Sequence, residues 1–185
     1  NKFNLEESQY EITGLAVLYN NMLQSLFQSQ IGSLIIVFAV ISLMLFLIFR
    51  SIKVVLIGLI PNIFVASSVM GLLGLFNIPL DIMTITVAAI SVGMAVDNTI
   101  HYIYRYKKEL KKNNSDQALK NAHGTTGRAI FYTATTISAG FCILILSNFF
   151  PTILFGLFTS IAMILAFISS LTLLPNLLVK YKVFQ

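Results

Sequence analysis

Apolar residues run through this chain in five long blocks separated by short polar interruptions. The blocks cover about 31–49, 54–76, 82–104, 129–149 and 152–179. A helix needs about 20 mostly apolar residues to cross the hydrocarbon core of a bilayer. Only helices and closed barrels satisfy the backbone there, and barrel strands alternate in polarity over about 10 residues. These blocks do not alternate. The pattern therefore predicts an all-α membrane protein built as a bundle of five transmembrane helices. Residues 15–30 read differently. Leu15, Leu18, Met22 and Leu26 recur at helical spacing among Asn, Gln and Ser. That spacing predicts an amphipathic N-terminal helix lying at the interface and running into the first span.

The interruptions set the connectivity. Arg50-Ser51-Ile52-Lys53 is a tight turn. Pro79 and Asp81 are placed to start the third span, and Pro151 the fifth. Short connections make successive helices antiparallel neighbours. The one long connection, 105–128, contains Ser115–Ala122, which reads as a short capped helix. Pro61 and Pro175 sit inside apolar blocks and are expected to kink the second and fifth spans.

Charge adds an orientation. Eleven of the 12 basic residues fall at 50–53, 105–128 and 180–182, three regions that five spans place on one side. The positive-inside rule makes that side the cytoplasm. The expected order is therefore 1–30 as the end of an external domain with its linker, then 31–180 as the five-span domain, with 105–128 as a cytoplasmic loop. The N-terminus would lie outside and the C-terminus inside. Charged residues make up 10% of the chain and apolar ones 57%. A soluble domain carries about 25% charged residues, so this composition excludes a soluble enzyme and a disordered tail. The net charge of +5 reads as topology and anionic-lipid contact rather than nucleic-acid binding. The single cysteine, Cys142, lies in an apolar run and cannot form an internal disulfide.

One charge falls where none is expected. Asp97 lies well inside the third block, where a carboxyl costs roughly 2.5–3.5 kcal/mol to insert. Intramembrane carboxyls are functional candidates by default. Hydrocarbon disfavours the ionised form, so such a group can take up and release a proton. Ala89, Gly93, Asp97 and His101 are four residues apart and share one helix face. Gly93 and Ala89 leave room for a neighbouring helix or water to reach the carboxyl. Asn98 adds hydrogen-bonding capacity, and His101 a group suited to proton exchange near neutrality. The fourth block offers candidate partners in Tyr132, Thr133, Thr135, Thr136 and Ser138. The plainer readings are a solvated His123, an interfacial belt of Tyr102, Tyr104 and Tyr106, and hydroxyls bonded to their own helix.

Gly93-x-x-x-Asp97 followed by Asn98-Thr99-Ile100-His101-Tyr102 resembles the fourth-helix signature of the resistance-nodulation-division (RND) superfamily, and especially its MMPL-type bacterial exporters. Thr13-Gly14-Leu15 leading to Gln28-Ser29-Gln30 is similar to the entry into the second membrane helix of that family. Phe49-Arg50-Ser51 resembles the turn after it, Leu59-Ile60-Pro61-Asn62 the third helix, and Leu174-Pro175 the end of the sixth. The resemblance implies helices two to six of an RND-type half. The first helix and nearly all of the external porter domain would lie outside this sequence, as in the C-terminal half of a full transporter. It also implies a bacterial inner-membrane location and proton-driven export of hydrophobic or amphiphilic compounds such as lipids and drugs. The carboxyl at the position of Asp97 would carry the proton relay, with Asn98 and His101 beside it. Other exporters of the superfamily place a second acid next to the first. Asn98 stands there in this chain, so a second carboxylate would come from the missing half.

The partners implied are protons, a hydrophobic or lipid substrate, the membrane and that missing half, with a homo-oligomer left open and no nucleic acid. The same five helices form the sterol-sensing domain of eukaryotic relatives, so a lipid-sensing module without transport is the alternative. An aspartyl protease is disfavoured, because Asp81 and Asp97 are roughly 24 Å apart along one helix at 1.5 Å per residue. The chain has no G-x-S-x-G sequence for a serine hydrolase and no Walker sequence for ATP. No metal or other cofactor is expected.

Overall fold

In the computed structural model of the protein, residues 14–78 and 82–184 are described. The expected external tail (1–13), Pro79 and the cap at Asp81 lie outside the described residues. The described chain is helical: α1 (Leu15–Phe49), α2 (Ile52–Leu75), α3 (Ile82–Leu110), α4 (Ser115–Ala122), α5 (Arg128–Ile143), α6 (Phe150–Ile168) and α7 (Leu174–Lys180). A π-helical turn, His123–Gly127, joins α4 to α5, and another, Ser169–Leu173, joins α6 to α7. A 3₁₀ turn, Leu144–Leu146, closes α5. Two units are present, one ending at Ile36 and one spanning Val37–Gln185.

The N-terminal unit consists, as far as it is described, of the first part of α1. The interfacial segment and the first span expected from the sequence form one uninterrupted 35-residue helix. Its length is about 52 Å at 1.5 Å per residue, against a hydrocarbon core of about 30 Å.

The second unit is the helical bundle. Among the described residues of the chain as a whole, four helical runs are long and apolar enough to cross a membrane: Val17–Phe49, which begins in the first unit, Ile52–Leu75, Ser115–Leu146 and Phe150–Lys180. α3 has the length, with 29 residues, but it is the least apolar of the long helices because of its polar positions from Asp97 onward. The stretch between the third and fourth blocks is helical rather than an open loop. α3 continues to Leu110, and the chain resumes helix at Ser115 and passes through the π-helical turn into α5. α4 begins at Ser115 with Asn114 in the N-cap position and no side-chain cap bond, and the Ser115 hydroxyl pairs with the Tyr106 hydroxyl at 2.9 Å. Asn77, at positive φ, ends α2 as a left-handed cap, with Ile78 N–H donating to the Leu73 carbonyl and Asn77 N–H to that of Gly74. Pro151 starts α6 as expected.

α3 and α6 form the centre. α3 packs on α2 and α6, and α6 packs on α2, α3 and α5. Val69, Leu73, Val87, Phe158 and Ala162 make one core cluster, and Val65, Ala95 and Ala166 another. α1 joins through Ile41, Leu45 and Phe49, one residue per turn. Lipid tails are as apolar as leucine, so close approach and hydrogen bonds hold such helices together. The α5–α6 crossing shows both. A Cβ on Gly156 would lie 2.6 Å from the Phe141 carbonyl oxygen and 2.7 Å from Leu144 Cβ, so only glycine fits. Ser138 Oγ donates to the Ser160 carbonyl at 3.3 Å, and the Ser160 hydroxyl lies 3.0 Å from the Ser138 carbonyl and 2.8 Å from that of Gly156.

The two internal prolines are accommodated differently. α2 runs through Pro61 without interruption, and Ser169 Oγ approaches the Pro61 carbonyl at 3.4 Å. Before Pro175 the helix opens into the π-helical turn. The α-helical partner of the Leu171 carbonyl would be the N–H of residue 175, which proline lacks. His123 takes its place: Nε2 lies 3.0 Å from the Leu171 oxygen, and Nδ1 lies 2.6 Å from the Tyr102 hydroxyl. A carbonyl only accepts, so Nε2 carries the hydrogen. In the neutral ring Nδ1 is then the acceptor and Tyr102 O–H the donor. His123 is half-buried and ties three segments together, contrary to the expectation of a solvated loop histidine.

Two outcomes follow for stability. Gly156→Ala should lower the thermal unfolding midpoint in detergent, with a cost of about 1–3 kcal/mol from forced overpacking. Gly140→Ala in the same helix pair, where a Cβ meets nothing within 4 Å, should leave the midpoint unchanged or slightly raised. His123→Ala removes both bridging bonds and strands the buried Tyr102 hydroxyl. A loss of about 1–3 kcal/mol is expected in the same measurement.

Candidate functional site

α3 divides into two faces with different spacing. Ala88, Val92, Ala95, Thr99, Tyr102 and Tyr106 alternate at four and three residues and are all buried. Ala89, Gly93, Asp97 and His101 recur every four residues and are all exposed. The tyrosines divide the same way. Tyr102 is 0% and Tyr106 2% exposed, both inside the bundle, whereas Tyr104 is 58% exposed. The expected interfacial belt of three tyrosines is therefore not what the fold makes of them. Only Tyr104 faces outward.

Asp97 Oδ1 lies 3.3 Å from His101 Nε2, one helical turn away. Their side chains are 69% and 68% exposed, so the pair sits on an open surface of this segment. The surface is one wall of a groove. Asp97, Asn98 and His101 line it from α3. Thr125 and Thr126 from the π-helical turn, with Ala129, Ile130 and Thr133 from α5, form the opposite side. Thr133 Oγ1 donates to the Ala129 carbonyl at 3.0 Å and Thr125 Oγ1 to that of Asn121 at 2.7 Å. Both hydroxyl oxygens keep acceptor capacity. The groove is thus polar on both walls, although the surrounding helices are apolar.

The other candidates are distributed unevenly. Asn98 is buried, and its Nδ2 has no hydrogen-bond partner among the described residues. Buried donors of this kind are ordinarily met by internal water. Gly93 and Ala89 extend the open face away from His101, and a Cβ on Gly93 would meet nothing within 4 Å. Of the α5 partners, Thr133 is in the groove. Tyr132 and Thr136 are exposed and do not line it, and the Tyr132 ring packs edge-on against Phe131 at 5.7 Å. Thr135 donates to its own helix at the Phe131 carbonyl, 2.8 Å away. Ser138 belongs to the α5–α6 crossing. Thr125 and Thr126 entered the groove unforeseen. Their signal was a Gly-Thr-Thr-Gly sequence at the head of the fourth apolar block.

A carboxylate and an imidazole in contact can share or exchange a proton. Both are on a rigid helix, and their spacing is fixed by the helical turn. The hydroxyls across the groove supply further positions through which a proton or a water molecule can be held.

Comparison with known proteins places the chain in a family. The model of the MMPL family matches residues 2–181. The membrane protein MJ1562 of Methanocaldococcus jannaschii is 33% identical over 110 residues, which is 59% of this chain and 28% of that protein. The hopanoid transporter HpnN of Burkholderia multivorans is 28% identical over 146 residues, 78% of this chain and 16% of that protein. The chain thus spans less than a third of the length of either relative. With the family model matching nearly its whole length, and with helices apolar enough to cross a bilayer, the chain is an integral membrane protein and belongs to the MMPL family.

Proposed function

We propose that this chain is the membrane segment of an exporter driven by the proton motive force, with Asp97 as the proton carrier. The observation that carries the reading is the Asp97–His101 pair on the uncovered face of α3, opening onto a threonine-lined groove. A carboxylate is expensive in contact with lipid. Its face is otherwise made of Gly93 and Ala89, which allow a close neighbour. Both features fit a surface covered by another part of the same transporter. That part would enclose the carboxyl and supply any second acid, since Asn98 stands beside Asp97 in this chain.

The chemistry is a cycle of charge. Protonation neutralises Asp97 and removes the cost of holding it between packed helices. His101 receives or returns the proton within one helical turn. Loss of the proton on the other side restores the charge and the original packing. α3 packs on α2 and α6, so these are the two helices through which a change at its open face would reach the bundle. The orientation follows the basic residues, with the N-terminus outside and 105–128 and 180–182 in the cytoplasm. Export of a lipid or similarly hydrophobic compound agrees with a hopanoid transporter among the relatives. In a bacterium the location would be the inner membrane.

The test uses the full-length protein in vesicles with an imposed pH gradient. Asp97→Asn should fold and bind substrate as wild type does, while gradient-driven transport falls to the level of empty vesicles. His101→Ala should slow transport without abolishing it. Normal transport by Asp97→Asn would refute the proton-carrier role and favour a lipid-sensing module.

A further inference from the structure

A second groove lies at the far end of α3, away from Asp97. Ile48 and Phe49 at the C-terminal end of α1 form one side, and Tyr104, Lys107, Lys108, Lys111 and Lys112 the other. The segment after α7 lies beside it. Lys182 takes a positive φ, and Val183 N–H donates to the Leu178 carbonyl at 3.4 Å, so the chain turns back after α7. Phe184 is thereby brought to 6.5 Å from both Phe49 and Tyr106. Lys107 is held by these rings, with Nζ 5.5 Å from the Phe49 centroid and 5.4 Å from that of Phe184. Lys108, Lys111 and Lys112 remain on the exposed side.

Their charge is uncompensated. The nearby acid, Glu109, is engaged by Arg105 at 2.9 Å, Asn113 at 3.2 Å and Asn121 at 3.0 Å. Among the described residues none of the four lysines has a salt bridge. Ile48, which shares the groove with them, is apolar and exposed, and Met44 and Leu47 are exposed on the same helix. The groove therefore offers ammonium groups at one end and hydrocarbon at the other, where a long apolar helix reaches its end. A free anion would satisfy the first half only, and a neutral lipid the second only.

We propose that this groove binds an anionic phospholipid, with the phosphate among Lys108, Lys111 and Lys112 and the acyl chain along Ile48 and the Tyr104 ring. The site is separate from the proton-relay groove and does not depend on Asp97 carrying a proton. It needs only that α1 lies in a bilayer.

Full-length protein in nanodiscs of phosphatidylcholine with a minor fraction of phosphatidylglycerol provides the test. Native mass spectrometry after release into detergent counts the lipids that stay bound. Wild type should retain phosphatidylglycerol in preference to phosphatidylcholine. The triple variant K108Q/K111Q/K112Q should lose that retention by roughly a hundredfold, at about 1 kcal/mol for each lysine removed from an anionic surface. K108R/K111R/K112R should keep it, which controls for folding. K53Q/K120Q/K180Q removes the same charge elsewhere and should keep it also. Equal loss in both Gln triples would overturn the proposal in favour of diffuse surface charge. So would no lipid preference in wild type, or displacement of the lipid by inorganic phosphate alone.

Discussion

Helices in a bilayer gain little by hiding apolar side chains from one another, so this bundle depends on how closely its backbones can approach. The tightest approach is at Gly156, where α6 meets the Phe141 carbonyl with no space for a methyl group. Ala95, Ala162 and Ala166 do the same work between α2, α3 and α6. Large residues such as Tyr102, Tyr106 and Phe158 then fill the remaining volume. Most other large apolar residues face outward, as Ile35, Ile36, Leu47 and Ile63 do, where a water-soluble protein would carry charge. The placement of the candidate residues on α3 follows from this. α3 can hold Asp97 at a fixed position because its opposite face is locked between two neighbours.

The same helix thus carries two periodicities with different tasks. The alternating four-and-three face is structural and filled. The strict four-residue face is polar, small and open. A one-residue shift in the sequence of α3 would turn the carboxyl by about 100°, off the open face and toward the packed side of the helix.

Much of this was legible before any coordinates. Block length and lack of alternation predict the helices, and Asp97 stands out because hydrocarbon makes a carboxyl costly. The i, i+4 relation of Asp97 and His101 follows from helical geometry alone. Other features were harder to read. Tyr102 and Tyr106 look interfacial by composition, beside Arg105 and Lys107, but they continue the buried spacing of Ala95 and Thr99. His123 looks solvated because its neighbours are polar. Its role depends on Pro175, more than fifty positions later, and no local pattern connects the two. The hydroxyls of the fourth block were legible as a group but not individually, because small errors in helix phase decide that Thr133 enters the groove while Thr136 does not.

The π-helical turn His123–Gly127 has a consequence for the groove beyond its hydrogen bonds. A turn closed between residues five apart contains one more residue than an α-helical turn. Everything after it is therefore advanced by one position, about 100° of rotation. Thr125 and Thr126 belong to this turn, and Ala129, Ile130 and Thr133 follow it, so the wall opposite Asp97 is set in phase by that extra residue. The π-helical turn before α5 acts as a rotational offset, and one residue fewer there would turn a different side of α5 to the carboxyl while leaving its composition untouched.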